Sequence, residues 1–276
     1  MNSAGHDDRI LLFIPCYNCA PQIGRVLSQV NGPVASRIAE VLVLDNGSSD
    51  GTVDAAIAAA PQVAAPQLTI ARNHKNYNLG GSHKAAYRYA SHNGFTHVVT
   101  LHGDDQGDLR DLLPTLDAGN HRRFDACMGA RFAKGSRLTN YSLVRILGNR
   151  VFNLLFSAAS RRWVTDMGSG LNLLSERAFA DLAAIERLPD DLYFNPYLLL
   201  SLFDRQLAVS FFPISWREED QVSNVRMTSQ AFHTLGAAMR FAFSRAAFRT
   251  GDFRSAGDHD YAFTAVAAFT AGERVG

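Results

Sequence analysis

The stretch Thr96–Leu112, THVVTLHGDDQGDLRDL, runs an apolar segment straight into Asp104, Asp105 and Asp108. Carboxylates crowded at the end of a core strand cost desolvation and mutual repulsion unless a cation sits among them. Asp104 follows the apolar segment most directly, and with the Gln106 amide it offers hard oxygen ligands. Such a set suits Mg²⁺ or Mn²⁺, which retain waters and are shared with a substrate's phosphates. The plainer alternative for the other two acids is that Asp105 and Asp108 are solvated turn residues, with Asp108 capping a helix that starts at Leu109.

Two further polar clusters end apolar runs. In DNGSSDGT, Asp45 can accept from a base or ribose, Ser48 to Gly51 make a turn, and Asp50 can cap the helix from Thr52. In NYNLGGSHKAA, a glycine pair precedes a helix with Lys84 in its first turn, an arrangement that favours phosphate. The glycines match neither phosphate-loop fingerprint, so that signal is weak alone. Cys16 and Cys19 form a C-x-x-C, but no further soft ligand lies nearby in sequence, and two buried thiols is the plainer reading.

The elements that must position these clusters alternate. Apolar strands are expected at Arg9–Tyr17, from Ala39 into Asp45, at Gln67–Asn73, Phe95–Leu101 and Phe124–Ala130. Between them, helical spacing marks Pro21–Val30, Val53–Ala60, Gly81–Gly94 and Leu109–Leu116. This alternation predicts βαβ units in a mainly parallel sheet, whose ligands bind beyond the carboxyl ends of the strands. After Ala130 the pattern changes. Leu143–Ser160 reads as a helix with Leu143, Ile146, Leu147, Val151, Leu154 and Leu155 at core spacing. Thr165–Ser175 reads as a loop entering a strand, Pro196–Phe203 as a helix, Leu207–Trp216 as a strand and Val225–Ala247 as a helix.

The bulk composition narrows the class. A chain of 276 residues, 47% hydrophobic and 19% charged, is globular and long enough for a large core. A formal net charge of +1 gives no general attraction to nucleic acid. Three cysteines argue against a disulfide framework and for a reducing compartment. The acidic start lacks a signal-peptide pattern, and no uncharged run is long and apolar enough to span a bilayer. The expectation is a soluble cytoplasmic protein, at most peripheral on the cytoplasmic face of a membrane.

Taken in order, IPCYN, VLDNGSSDGT, NYNLGGSHKAAY, VVTLHGDDQGD, GARF and TDMGSGLNLLS resemble the family 2 glycosyltransferases, nearest to their dolichyl-phosphate-mannose-synthase-like branch. The resemblance runs from about Ile10 to about Arg240. It implies a GT-A-type Rossmann-like fold in one composite domain, with a nucleotide-sugar half at 9–130 and an acceptor-side half with a closing helix at 131–250. It also implies a nucleotide-diphosphate-sugar donor, a divalent metal and inversion at the anomeric carbon. Carried over residue by residue, it places Pro15, Tyr17 and Asn18 around the nucleotide, with Asp45 on the base and Asp50 as the loop's second acid. Asn46, Ser48, Gly80, Lys84 and Gly103 complete the candidate donor-binding set. Asp104 matches the last acid of the Asp-x-Asp metal motif and Gln106 the glutamine that follows. Arg131 matches a basic residue near the diphosphate. Asp166, Ser169 and Gly170 match an acceptor-side loop, and Trp216, Arg217, Ser223 and Asn224 a late segment covering the site. Two departures stand out. His102 replaces the first acid of Asp-x-Asp, and imidazole suits Mn²⁺ better than Mg²⁺. The C-terminal membrane helices of many relatives are not seen in this sequence.

The implied reaction is an in-line displacement in which metal and Arg131 stabilise the departing diphosphate. A sugar or other hydroxyl acceptor needs a carboxylate base, for which Asp166 is the candidate; a lipid phosphate brings its own anion. In MRFAFSRAAFRTGDFRS, four arginines interleave with phenylalanines, as in a helix on an anionic membrane or a core helix with exposed arginines. A non-catalytic nucleotide-sugar-binding protein and a sugar nucleotidyltransferase are the rival functions. Homo-oligomerisation is compatible with the sequence and not specified by it.

Overall fold

The computed structural model describes residues 8–220, 227–255 and 259–271, with side chains from residue 233 onward in the middle span. Ten strands form: β1 Ile10–Cys16, β2 Glu40–Asp45, β3 Gln67–Asn73, β4 His97–Leu101, β5 Ala126–Ala130, β6 Arg137–Thr139, β7 Leu171–Ser175, β8 Val209–Pro213, β9 Ser215–Arg217 and β10 Phe263–Thr270. Eight of them make one sheet in the order β10-β3-β2-β1-β4-β7-β5-β8, while β6 and β9 pair separately. Every residue of β1, β2 and β4 is buried, which is why these segments read as unbroken apolar runs. β1 pairs in parallel with β2 on one side and β4 on the other, and β2 with β3, as the strand–helix alternation requires. β7 runs antiparallel between β4 and β5. The edge strand β10, antiparallel to β3, lies in a segment for which sequence patterning gave no element.

Helices cover both faces of the sheet. Helix Ala20–Ser28 turns Ile23, Val26 and Leu27 onto one face, where each is fully buried and contributes about 2 kcal/mol relative to exposure. Helices Asn78–His92 and Phe194–Asp204 cover the other face. A third cluster, built around Phe156, Leu199, Phe203, Phe241 and Phe248, joins helix Leu143–Ser160 to Phe194–Asp204, Met227–Phe243 and Arg245–Thr250.

Three expectations need correction here. The segment Leu207–Trp216 is two strands, β8 and β9, which serve different sheets. The late helix breaks at Ser244 into Met227–Phe243 and Arg245–Thr250. In Leu143–Ser160 the spacing expected to face the core faces outward instead: Leu143, Leu147, Val151, Leu154 and Leu155 are exposed, and the buried face is carried by Asn153, Phe156 and Ser160.

The glycine pair and Lys84 also prove to be structural. Gly80 sits where a Cβ would meet the Phe194 Cβ at 2.8 Å and the Pro189 carbonyl more closely still. The Gly81 N–H donates to the Asp190 carbonyl at 3.1 Å, so a candidate phosphate donor is already used. Lys84 is wholly buried and its ammonium donates to Asp190 Oδ1 and the Leu188 carbonyl, both at 2.6 Å, and to the Tyr261 hydroxyl at 3.2 Å. These bonds use all three of its protons, so the Lys84 ammonium has none left to offer a donor phosphate. Removing one partner strands a buried charge. Asp190→Ala is therefore expected to lower the unfolding free energy by about 3 kcal/mol or more, and Lys84→Met/Asp190→Leu to recover much of that loss, as read by urea denaturation.

Candidate active site

The strand order reverses between β1 and β4, the place in an open α/β sheet beyond whose carboxyl ends ligands bind. Asn18 has left-handed backbone (φ 52°); its N–H donates to Ser48 Oγ at 2.8 Å, and its Oδ1 accepts from the Ser49 N–H at 3.0 Å. Asp50 accepts from the Ala20 N–H at 3.0 Å and from the Thr52 hydroxyl at 2.6 Å, tying the β2 loop to the start of the first helix. Asp45 is fully buried and accepts from Arg72 Nε at 2.9 Å and the Ser48 N–H at 3.2 Å. Asn46 accepts from Asn73 Nδ2 and the Tyr77 N–H and donates to Asn76, joining the β2 and β3 loops. Pro15 is buried at the end of β1, its carbonyl accepting the Gly103 N–H at 3.1 Å, and Tyr17 is half exposed at the rim. A Cβ at Gly103 would meet Cys16 Sγ at 2.7 Å, so the loop after β4 can lie on the two buried thiols only with glycine there.

The two adjacent acids of that loop point in different directions. Asp105 has φ 59° and is 2% exposed; it accepts from Arg25 Nε at 2.7 Å, from Gln29 Nε2 at 3.0 Å and from the Arg217 guanidinium. It is a buried clamp and not the solvated turn residue the sequence allowed. Asp108 does cap, accepting from the Arg110 N–H at 3.0 Å. Asp104, half-buried, accepts the Gln106 N–H at 3.2 Å. Burial pushes its carboxyl up to about 6, with the neighbouring Asp105 charge adding to the rise.

Because β7 is antiparallel, the loop preceding it arrives at the same edge as the ends of β4 and β5. The His102 N–H donates to the Gly170 carbonyl at 3.0 Å, and a Cβ at Gly170 would meet the His102 ring at 2.9 Å. Burial, with Arg131 nearby, lowers the His102 imidazole to about 4, so it is neutral at pH 7. Its buried Nε2 has no hydrogen-bond partner, and the same holds for Trp216 Nε1. Arg131 forms a two-pronged pair with Asp166, Nε to Oδ2 and Nη2 to Oδ1 at 2.8 Å each, and also reaches the Gly168 carbonyl and the Tyr141 hydroxyl. Its guanidinium lies against the rings of Phe132, Tyr141 and Trp216. These bonds direct four of its five N–H groups inward.

Asp166 therefore does not fit the base role read from the sequence. Both its oxygens carry hydrogen bonds, including those from the Arg131 and Gly168 backbone, and a carboxylate so held is a poor proton acceptor. Ser169 donates to the Gly129 carbonyl at 2.8 Å and is buried, so it shapes the loop and does not line an open acceptor site. Ser223 and Asn224 lie outside the described residues. Arg25, Gln29, Arg72 and Tyr141 were absent from the sequence-derived set; only the β2–β3 register, which sets Asp45 beside Arg72, makes that pair evident. Among the described residues no three His, Cys, Asp or Glu side chains gather as a metal cluster. Asp104, His102 and Gln106 share the loop after β4, and oxygen donors with an imidazole are the ligand types a divalent cation takes.

This sheet order, with a loop of acids at the β1/β4 reversal, defines a GT-A-type α/β fold. The chain belongs to glycosyl transferase family 2, whose family model matches residues 12–183. It is 28% identical over 177 residues to glycosyltransferase AglJ of Haloferax volcanii, covering 63% of this chain and 53% of that protein. The chain thus spans about half the length of the curated relative it matches. Solved structures of glucosyl-3-phosphoglycerate synthase from Mycobacterium tuberculosis share the fold. One, with Mn²⁺, UDP and glucosyl-3-phosphoglycerate, superposes with a TM-score of 0.60 at 15% identity, covering 85% of this chain and 80% of that one. Another, with Mn²⁺, UDP-glucose and phosphoglyceric acid, gives 0.61 at 15% over the same shares.

Two outcomes test the electrostatics. Asp166→Asn is expected to destabilise the fold by about 2–4 kcal/mol, because Arg131 is left as a buried charge; a base would instead lose turnover at unchanged stability. His83, buried between Phe13 and Phe194 and 6.2 Å from the His102 ring, is lowered by burial to about 3. The unfolded chain takes up that proton near pH 6.5, so stability falls as pH drops from about 6.5 toward 3. His83 contributes about 1.5–2 kcal/mol of loss between pH 6.5 and 5, and His83→Phe should remove that part in urea titrations while leaving the slope that His102 contributes.

Proposed function

We propose that this protein is a metal-dependent inverting glycosyltransferase using a nucleotide-diphosphate-sugar donor. The observation that carries the reading is Asp104, on the loop that follows β4 at the β1/β4 reversal, with its carboxyl raised by burial. Asp104, His102 and the Gln106 amide would hold Mg²⁺ or Mn²⁺, which supplies charge neutralisation for the donor diphosphate. The loops tied by Asn18, Asp45, Asn46 and Asp50 form the nucleotide side. Arg131, fixed by Asp166 and three aromatic rings, retains one N–H for the leaving group's charge.

In the reaction an acceptor oxygen bonds to the anomeric carbon as the carbon–oxygen bond to the diphosphate breaks on the opposite face. With Asp166 committed to Arg131, an acceptor that brings its own anion suits the site better than a neutral hydroxyl. A phosphate, ionised at pH 7 through its second pKa of about 6, meets that need, and a polyprenyl phosphate is the acceptor class this favours. That choice also accords with the dolichyl-phosphate-mannose-synthase-like resemblance of the motifs.

The test joins binding to turnover. UDP-, GDP- and dTDP-sugars are screened by thermal shift with and without Mn²⁺; the true donor should raise the melting temperature only with metal, by the equivalent of about 3 kcal/mol at a hundredfold excess over Kd. Asp104→Ala should abolish that gain and cut transfer by roughly a hundredfold or more with unchanged circular dichroism. Metal-dependent binding without transfer or donor hydrolysis would support a non-catalytic sugar-nucleotide binder, and no metal-dependent binding would sink the proposal.

A further inference from the structure

Helix Leu143–Ser160 is apolar on two sides. Its inner side packs Phe156 into the third core cluster. Its outer side carries Leu143, Leu147, Val151 and Leu154 in one stripe flanked by Val144 and Leu155, with Leu143 82%, Leu147 67% and Leu154 63% exposed. Trp163, just beyond the helix, is 76% exposed. Helix Met227–Phe243 packs beside it over the same cluster through Ala237, Ala238 and Phe241. It adds Leu235, Met239 and Phe243 outside, the last 85% exposed. The Leu143–Leu154 stripe by itself leaves roughly 500 Å² of apolar surface in water, as much as the largest patch of a typical monomer, and Trp163, Met239 and Phe243 add to the exposed apolar area.

The segments that carry this surface hold charges of one sign. From Arg137 to Val164 the sequence holds five arginines and no acid, and from Met227 to Thr250 three arginines and no acid. Arg145 pairs with Glu218 and Arg249 with Asp204 on the flanks. Arg150 and Arg161 are exposed at the edge of the stripe and form no ion pair among the described residues. A second copy of the chain suits this surface poorly, because two-fold pairing sets the patch against itself and brings arginine to arginine with no acid between. A surface that is both apolar in depth and anionic at its face meets both requirements.

We propose that the outer face of these two helices docks on an anionic lipid bilayer, its leucines and Trp163 entering the headgroup–acyl boundary and its arginines meeting lipid phosphates. Among the described residues no helix is long and apolar enough to cross a membrane, so the contact is peripheral. Tyr141, whose hydroxyl meets Arg131, lies two residues before the first of these helices. Docking therefore brings the Arg131 end of the crevice toward the bilayer. That consequence for a lipid-linked acceptor rests on the proposed function; the docking does not.

The full chain is floated with phosphatidylcholine vesicles with and without added phosphatidylglycerol, following tryptophan emission. The chain has two tryptophans, and Trp216 is buried, so a blue shift abolished by Trp163→Phe reports insertion of this face. The expected result is flotation with the anionic vesicles alone, weakened by salt, and reduced roughly tenfold by Leu147→Glu or Leu154→Glu at unchanged melting temperature. No flotation with anionic vesicles, equal flotation with neutral ones, or binding indifferent to both substitutions would overturn the proposal. A dimer at sedimentation equilibrium that Leu147→Glu dissolves, without vesicle binding, would assign the face to a second copy. Sugar transfer is not the readout, so a failed docking leaves the reading of the crevice untouched, and the reverse.

Discussion

The site depends on two adjacent carboxylates being turned apart. Asp104 and Asp105 are chain neighbours whose charges repel at short range, and without a cation the two could not both stay ionised if both faced the same crevice. The left-handed backbone at Asp105, a conformation that costs a non-glycine residue about 1 kcal/mol, points its side chain back among Arg25, Gln29 and Arg217. Those three come from the first helix and from β9, so one buried acid fastens the loop to two distant parts of the chain. Asp104 is left at the crevice with its charge opposed by burial, which is the condition a bound cation relieves.

The same economy runs through the rest of the crevice. Nearly every polar residue around it is engaged in holding a neighbouring loop: Asp45 with Arg72, Asp50 with Ala20 and Thr52, Asn46 with Asn73, Asn76 and Tyr77. Arg131 and Asp166 hold each other in a largely buried position, a pair whose geometry favours orientation over proton transfer. Asn73 Oδ1, His102 Nε2 and Trp216 Nε1 are among the buried polar atoms that have no partner in the described structure. Preorganisation of this kind lets few groups act on a ligand while many keep them in place.

The helices after β5 obey a different constraint. Helix Leu143–Ser160 must seal the third core cluster with one side, yet its sequence places leucine and valine on the opposite side as well. An ordinary surface helix carries polar residues there. The arginines that border this stripe, without any acid, give the molecule a face with a chemical direction of its own.

The strands β1 to β5 and the helices between them were legible in the sequence because each strand is buried on both sides and each helix carries a single apolar stripe. The polar clusters after those strands, Asp104 among them, do lie at the carboxyl ends of the strands, as their order implied. Three things lay beyond sequence reasoning. Periodicity marks an apolar stripe but not what lies against it, so the leucines of Leu143–Ser160 read as core when they face outward. A lysine after a glycine pair reads the same whether it meets a phosphate or a buried Asp190, because its partner is more than a hundred residues away. Arg131 and Asp166 were both found, but their mutual pairing was not. Local spacing fixes which residues reach the edge of the sheet; the antiparallel return of β7 decides which of them meet there, and only that meeting determines whether a charge is held or remains free to act.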